Sequence, residues 1–434
     1  MKLLSRFTEM LVFVLASIST LAVAGNAEKA TPEDAGYSAE GLERIKKLVD
    51  PLYEDGLIPN YVVALYKDGK SFFSLTRGNT FVDGGDPVDL DTIYHMASMS
   101  KPFVSTAVLR LIEEGKLSMD TKLSDIFPEF KSMFVVEGGD FDSDFEVPKG
   151  EITVLNLLTH TSGFTYSENI IGYGDVAKQY DELGVFSSPM SSREHLKVLA
   201  QIPLVAHPGE EFNYSVSIDV LGAIIEEIEG KRLGEHLEEV IFDPLGMENT
   251  GYYVPPEKTR RLAGFYGAAN QNIPAIGRLT TDGIDWKIGA LPSRDRSRPP
   301  VRDSGGGGIL STANDYARYL TMVANGGVYE GHSVLGPEFA AMHSSNLIPG
   351  LPLGALERAF GDAAQYMSFG GGFGIKREAT DAAETDYLFW AGAFNTFFWV
   401  DTQDRCVGLF LTHHWPVQYN ISDQLEQIVD EARL

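Results

Sequence analysis

Cysteine and basic residues are scarce in this chain of 434 residues. The single cysteine, Cys406, excludes an intramolecular disulfide framework, because a disulfide needs two thiols. Lys and Arg number 35 against 61 Asp and Glu, and the net charge of −26 disfavours nucleic acid and anionic membrane surfaces as partners. Cys406 opens an apolar run at residues 406–411, so we expect it in a buried strand. This placement disfavours a catalytic role for Cys406, because a nucleophilic thiolate needs polar, electropositive surroundings.

Long apolar runs are also missing, apart from one near the N-terminus. There, Lys2 and Arg6 precede an apolar run that ends in the small-residue sequence Ala22-Val23-Ala24, a pattern typical of a cleaved export signal. The run holds about 14 residues, fewer than the roughly 20 that span a membrane, so we expect no stable membrane anchor after cleavage. We therefore expect a signal peptide at residues 1–27, a mature domain at residues 28–434, and a periplasmic or secreted location.

The chain lacks the short motifs of common metal and cofactor sites. No His-Glu-x-x-His sequence or other metal-ligand spacing is present. The glycine run at residues 370–374 has neither the lysine nor the following helix of a phosphate-binding loop. We therefore expect no cofactor and no metal, and we expect the partner to be a small-molecule substrate.

Strand signals lie at both ends of the chain, and helix signals lie mainly between them. Ser38 precedes a helical pattern, and residues 61–66 and 71–77 form a predicted hairpin across Asp68-Gly69. Further strands are predicted near the C-terminus, before a last helix: residues 374–377, 386–391, 396–400 and 407–412, with the helix at 421–432. These signals predict an α+β fold in which both chain ends build one antiparallel sheet. A mainly helical lobe at about residues 91–325 is inserted, and the cleft between sheet and lobe is the natural catalytic site.

The sequence Ser98-Met99-Ser100-Lys101 sets a serine and a lysine three residues apart at the start of a predicted helix. Residues with that spacing share one helix face, so the Lys101 amino group is expected beside the Ser98 hydroxyl. An amine next to a hydroxyl is a minimal apparatus for making a serine nucleophilic. The motif alone is weak, because the same spacing is common on exposed helix turns.

Two other segments suit the same chemistry. Tyr214 stands just before a predicted helix at residues 218–229, and a phenol near a lysine can relay a proton that it would otherwise keep up to pH about 10. Its alternative is an ordinary half-buried core tyrosine. In Trp390-Ala391-Gly392-Ala393, an apolar strand runs into small residues, where a backbone N–H can point at a developing oxyanion. A strand that simply ends in a glycine turn explains this segment equally well.

In this order and spacing, the three segments resemble the serine β-lactamase and penicillin-binding protein superfamily, and most of all its family VIII carboxylesterases, which are class C β-lactamase-like esterases. Supporting stretches lie between them: His160-Thr161-Ser162-Gly163, Asp219-Val220-Leu221-Gly222 and Gly306-Gly307-Gly308. The resemblance implies a β-lactamase/transpeptidase-like fold over roughly residues 32–416. It also implies that Ser98 is the acylated nucleophile, that Lys101 and Tyr214 share general-base and general-acid duty, and that the N–H groups of Ser98 and Ala393 form the oxyanion hole. His160 would order a loop.

Two departures from the β-lactamase pattern bear on the substrate. Val216 stands where those enzymes carry an asparagine, and Trp390 stands where they carry a lysine that helps hold the drug's carboxylate. Losing a hydrogen-bond donor and a cation costs about a few kcal/mol of recognition for an anionic lactam, whereas neutral esters lose nothing. Trp390, Gly392 and Val216 are therefore expected to line a site for esters.

The sequence predicts a serine carboxylesterase that works through a Ser98 acyl-enzyme. Three alternatives stay open at this stage. The first is a β-lactamase or D-amino-acid peptidase that acts on cell-wall-type substrates, and the second is an acyltransferase that uses the same acyl-enzyme. The third is a catalytically silent binding protein that keeps the scaffold.

Overall fold

The structure is a computed structural model that describes residues 29–168, 170–172, 174–268, 288–290, 296–354, 367–376, 387–415 and 421–434. The predicted signal peptide at residues 1–27 lies outside these ranges, so the signal and the export that it implies stay predictions. Within these ranges, none of the helices combines the length and the apolar character that a membrane span requires.

Strands from both chain ends form one seven-stranded sheet. The strands of the molecule are β1 (Tyr61–Lys67), β2 (Lys70–Arg77), β3 (Asn79–Phe81), β4 (Gly84–Pro87), β5 (Tyr94–His95), β6 (Tyr266–Ala268), β7 (Ile288–Ala290), β8 (Leu310–Ser311), β9 (Val328–Tyr329), β10 (His332–Ser333), β11 (Met367–Phe369), β12 (Gly374–Lys376), β13 (Tyr387–Gly392), β14 (Thr396–Asp401), β15 (Cys406–Leu411) and β16 (His414–Trp415). The main sheet has the order β11-β12-β13-β14-β15-β1-β2 with every neighbouring pair antiparallel. Its central pair aligns Val62 with Leu411 and Lys67 with Cys406.

Local sequence explains the strands at the centre of this sheet. Asp68 and Gly69 link β1 to β2 with φ values of 50° and 80°, and two positive φ angles are what a tight two-residue hairpin turn requires. β15 is buried at every position, as its uninterrupted apolar run predicts for a strand covered on both faces. Cys406 is 1% exposed and so part of the core, as predicted, and this burial raises the pKa of its thiol to about 12.

Helices cover the sheet on both faces. They are α1 (Ala39–Glu54), α2 (Lys101–Glu113), α3 (Leu123–Ile126), α4 (Val154–Leu158), α5 (Gly174–Glu182), α6 (Ser192–Leu199), α7 (Ser217–Glu229), α8 (Leu233–Leu237), α9 (Ala313–Ala324), α10 (Pro337–Ala340) and α11 (Ser422–Glu431), with short 3₁₀ or π turns at Ala97–Ser100, Pro128–Ser132, Glu137–Gly139, Glu238–Phe242, Pro256–Arg261 and Ala341–His343. α1, whose first turn is capped by Ser38 Oγ accepting from Gly41 N at 3.1 Å, packs with α11 on one face. α2, α7 and α9 belong to the larger core on the other face. The α+β prediction, with a sheet completed by both chain ends, is confirmed.

Some local features differ from the sequence prediction. The edge strand β11 has no counterpart in the predicted elements, because three residues are too few to show a strand periodicity. Ser98 lies on a separate 3₁₀ turn, and the α-helix begins only at Lys101. Ala97, whose φ of 47° lies in the left-handed region, immediately precedes Ser98 and prevents regular helix geometry from extending further back.

Candidate active site

The turn that carries Ser98 is held on several sides. Met96 N donates to Ile309 O at 2.9 Å, and Ile309 N donates back to Ser100 Oγ at 3.0 Å. Between Ser98 and Ser100, the Met99 carbonyl oxygen accepts a hydrogen bond from Tyr316 Oη at 2.8 Å. A non-glycine residue at positive φ, such as Ala97, costs about 1–3 kcal/mol and persists only where the surroundings fix it. These bonds supply that support and present Ser98, which is half-buried, at the surface of a buried turn.

Lys101 lies directly beneath Ser98. Its Nζ donates to Ser98 Oγ at 3.3 Å and to the carbonyl oxygen of Gly306 at 2.6 Å. The residue is 1% exposed, and Nζ lies 4.7 Å from the ring centre of Tyr214 and 5.5 Å from that of Tyr166. The predicted proximity of hydroxyl and amine is therefore present, and two aromatic rings enclose the amine.

Tyr214 is positioned by the loop of His160 and by the start of α7. Asn213 N donates to His160 O at 2.8 Å, and Ser215 N donates to His160 Nδ1 at 3.2 Å. Burial and the charge of Lys101 keep the pKa of His160 well below its ordinary value, so the imidazole is neutral. Because Nδ1 accepts a backbone N–H, the ring proton lies on Nε2. His160 thus fixes the segment on both sides of Tyr214.

Tyr166 and Asp219 complete the surroundings of the amine. The rings of Tyr166 and Tyr214 lie 5.3 Å apart. Burial raises the pKa of Tyr166 well above its ordinary value, and the neighbouring Tyr214 and Asp219 add to that effect. Burial alone would raise the pKa of the Asp219 carboxyl too, but Arg302, the hydrogen bond from Ser304 and other neighbours lower it. No functional motif singles out Tyr166, whose one sequence signal is that it closely follows His160-Thr161-Ser162-Gly163.

The glycine loop at residues 305–308 reaches the site because it has no side chains. A Cβ on Gly305 would overlap the carbonyl oxygen of Ile218, and a Cβ on Gly306 would overlap Asp219 Oδ2. The loop therefore packs against the first turn of α7 and offers its Gly306 carbonyl to Lys101.

The end of β13 lies against the turn of Ser98. A Cβ on Gly392 would overlap the carbonyl oxygen of Met96, so the strand approaches to backbone distance. Thr396 Oγ1, on the neighbouring strand, donates to the same carbonyl at 3.4 Å. Ala391 is exposed and Ala393 is half-buried, so the strand reaches the protein surface on either side of the buried Gly392.

Trp390 and Val216 contribute apolar surface of different kinds. The Trp390 ring is 8% exposed and lies 5.4 Å from the ring of Tyr214 and 5.3 Å from that of Phe369. It forms an aromatic wall beside Tyr214. Val216 immediately precedes α7, and its side chain is fully buried in the larger core. Of the predicted residues, Ser98, Lys101, Tyr214 and Trp390 form one chain of contacts, the end of β13 borders it, and Val216 lies behind it.

Comparison with known proteins identifies the family of the chain. The family model of Beta-lactamase matches residues 45–427. Esterase EstB of Burkholderia gladioli is 30% identical over 288 residues, which cover 64% of this chain and 69% of that protein. A lovastatin esterase of Penicillium rubens is 28% identical over 366 residues, which cover 80% of this chain and 86% of that protein.

A solved structure shares the fold. It is EstCE1, described as a hydrolase with promiscuous acyltransferase activity, with a TM-score of 0.70 and 24% identity over 91% of this chain and 98% of that one. The resemblance to the serine β-lactamase superfamily and the β-lactamase/transpeptidase-like fold are thereby confirmed. The chain belongs to the Beta-lactamase family, whose members similar to it include esterases.

Proposed function

We propose that the protein is a serine carboxylesterase that cleaves small-molecule esters through an acyl-enzyme on Ser98. The observation that carries this proposal is the 3.3 Å contact between Lys101 Nζ and Ser98 Oγ. Lys101 is buried and Ser98 is half-buried, so the amine is shielded from water while the hydroxyl borders the open side of the site. This is the arrangement of a hydroxyl activated by an adjacent base.

The reaction has two displacement steps. Ser98 Oγ attacks the ester carbonyl carbon, its proton passes to Lys101 or Tyr214, and the alkoxide leaves with a proton from the same pair. Water then attacks the acyl carbon, gives a proton to the pair and releases the carboxylic acid, and Ser98 regains its proton. The backbone N–H groups of Ser98 and Ala393 stabilise the oxyanion in both steps.

The walls of the site support esters over lactams. The rings of Trp390 and Tyr214 pack with their centres 5.4 Å apart and form an aromatic wall, whereas Val216 is fully buried behind it. An anionic lactam needs a cation or a polar amide beside its charged groups to offset their loss of water, and Trp390 supplies no cation there. Neutral acyl groups are bound by apolar contact alone. The preferred substrate is therefore a neutral ester with an apolar acyl part.

Export belongs to the same proposal. The N-terminal signal pattern and the acidic net charge of −26 support a chain that leaves the cytoplasm and acts on small molecules in the periplasm or medium. Mass spectrometry of the mature protein from its native host tests this, since cleavage after Ala24 or Ala27 would give a defined new N-terminus. A chain that keeps Met1 in the cytoplasm would contradict it.

Intact mass spectrometry after brief incubation with a mixed panel of p-nitrophenyl esters, a cephalosporin and a D-alanyl dipeptide tests the activity. We expect a single acyl adduct from the esters, a p-nitrophenol burst, and loss of both in Ser98→Ala. Circular dichroism of Ser98→Ala controls for folding. Wild-type esterase activity in Ser98→Ala would refute the mechanism.

The same panel separates the alternatives. Faster steady turnover of the cephalosporin or the dipeptide than of any ester would identify a lactamase or peptidase. Ester product formed with added alcohols in place of free acid would identify an acyltransferase. A folded protein that no ester, lactam or fluorophosphonate labels would be a binding protein.

A further inference from the structure

His207 lies beneath exposed carboxylates of the helical lobe, away from Ser98 in sequence and in role. Its side chain has no exposed surface, and its Nε2 has no hydrogen-bond partner among the described residues. Two carboxylate oxygens face this nitrogen: Glu137 Oε1 at 3.4 Å and Glu146 Oε2 at 3.5 Å. Glu210 brings a third carboxylate, so that one ligand atom each from Glu137, His207 and Glu210 lies within 4.8 Å of the others.

These distances fit a metal better than a hydrogen bond. A direct N–H···O bond would bring the two heavy atoms to about 2.7–3.2 Å. Zn²⁺ holds nitrogen and oxygen ligands at about 2.0–2.2 Å, so neighbouring donors of a tetrahedral site lie about 3.4 Å apart. The 3.4 Å and 3.5 Å separations around His207 Nε2 match that tetrahedral edge. We propose that Glu137, His207 and Glu210, whose ligand atoms lie within 4.8 Å of one another, bind Zn²⁺, with Glu146 as a further carboxylate beside His207.

The ligand chemistry selects the ion. Ca²⁺ and Mg²⁺ prefer sites made only of oxygen, whereas an imidazole nitrogen with carboxylates suits Zn²⁺. The carboxylates carry the negative charge that offsets the ion. Glu137 and Glu146 are 60% and 54% exposed, so they turn inward without breaking buried contacts. Glu137 and Glu146 lie on a different segment of the chain from His207 and Glu210, so the sequence does not show the whole site as one short motif.

Lys149 is the cation that Zn²⁺ must displace. Its Nζ lies 2.9 Å from Glu210 Oε2, and its backbone N donates to His207 Nδ1 at 3.4 Å. Because Nδ1 accepts this backbone N–H, the ring proton of His207 lies on Nε2 in the structure. Metal binding at Nε2 would move that proton to Nδ1, and the long contact with Lys149 N would be lost. Zn²⁺ and the Lys149 side chain therefore compete for the same carboxylate.

The ion would join two separate segments. Glu137 and Glu146 flank one loop, whereas His207 and Glu210 lie on the turn that leads to Tyr214. That turn is already tied to the His160 loop, since Gly209 N donates to Thr161 O at 2.7 Å. Zn²⁺ would thus cross-link the loop to the turn and raise the free energy of unfolding by binding only the folded state. This site does not depend on the proposed esterase activity.

Isothermal titration of the chelator-treated full chain with ZnCl₂, paired with thermal unfolding, tests the site. We expect one Zn²⁺ per chain and a higher Tm. Glu137→Gln and Glu210→Gln should each weaken the Zn²⁺ Kd about tenfold or more, because each removes one of the three protein donors. Lys149→Met should tighten it, because the competing ammonium is gone. Asp142→Asn, an equal change of charge at an exposed position of the same loop, should leave the Kd unchanged.

His207→Gln is the direct variant, and the surface glutamates keep the test valid if it fails to fold. CaCl₂ in place of ZnCl₂ should produce no shift in Tm. The proposal is overturned if wild type shows no saturable Zn²⁺ binding, if Asp142→Asn weakens binding as much as Glu137→Gln does, or if Lys149→Met weakens it.

Discussion

At the scale of single residues, two tyrosines enclose Lys101 but differ in what they can do. Tyr214 is half-buried and lies on the segment fixed by His160, whereas Tyr166 is 5% exposed. Burial, with Tyr214 and Asp219 nearby, raises the pKa of Tyr166 and keeps its proton in place. In the proposed mechanism, Tyr214 exchanges protons with the substrate and Tyr166 positions the pair.

Replacing each tyrosine by phenylalanine separates these roles. Tyr214→Phe should lower kcat about 100- to 10,000-fold with little change in KM, because it removes a proton-transfer group and keeps the ring. Tyr166→Phe is the matched control, since it removes the same atom one ring away, and it should retain most of kcat. Steady-state kinetics on one p-nitrophenyl ester measures both. Equal losses in the two variants would contradict the assignment.

Some of these residues could be predicted from the sequence and others could not. The proximity of Ser98 and Lys101 follows from their spacing, because backbone geometry alone places residues three apart on one side of a turn or helix. Tyr166 and the Gly306 carbonyl reach Lys101 through tertiary packing, and a local pattern does not encode such contacts. Val216 illustrates the same limit, because its position in a motif does not reveal that its side chain is fully buried.

At the scale of elements, the site depends on how closely β13 approaches the turn of Ser98. Gly392 meets the Met96 carbonyl, and backbone atoms cannot move aside as a flexible side chain can. The next residue, Ala393, is expected to supply an oxyanion N–H. A displacement of this strand would therefore move that donor away from the reacting carbonyl.

Gly392→Ala tests the approach. The added methyl group should lower the free energy of unfolding by about 1–3 kcal/mol through overpacking, and should lower kcat about 100-fold or more by moving the oxyanion donor. Ala391→Gly is the control on the adjacent, exposed position, and should leave kcat near the wild-type value. Urea unfolding and ester kinetics measure the two effects. Normal kcat in a folded Gly392→Ala protein would argue against an oxyanion role for this strand end.

Strand and helix positions were predictable where the sequence repeats a simple pattern. The β1–β2 hairpin was predictable because a turn dipeptide between two strand patterns usually forms a hairpin, and β15 was predictable because a short, continuous apolar run usually forms a buried strand. The 3₁₀ turn before α2 was not predictable. The positive φ of Ala97 before Ser98, and the bond from the distant Tyr316 to the Met99 carbonyl, have no local sequence signal.

At the scale of the whole molecule, several buried histidines make stability depend on pH. Burial lowers the pKa of His343 and of His413 to about 4, and burial with the charge of Arg302 lowers that of His195 to about 3. The unfolded chain binds these protons at the ordinary pKa of about 6.5. Between pH 6.5 and about 4 the unfolded state therefore holds more protons, and the free energy of unfolding falls as pH falls.

Each such histidine contributes a slope of up to about 1.4 kcal/mol per pH unit in that window. Asp315 acts in the opposite direction, because burial raises its pKa to about 6, and it offsets about one histidine. We expect net destabilisation on acidification from pH 6.5 to 5, measured by urea unfolding. His343→Gln should reduce the slope, and equal slopes in wild type and variant would show that His343 does not contribute.

The pairing of β1 with β15 constrains how the molecule can fold. Val62 pairs with Leu411, so the centre of the sheet closes only after nearly all of the chain is available. Pairing between strands so far apart in the sequence predicts slow folding, because the chain loses the entropy of closing a very long loop before the strand contacts stabilise it. A ribosome-bound chain would then hold both central strands apart until synthesis ends. An unfolded chain is also the form that can be threaded through a narrow channel before it folds.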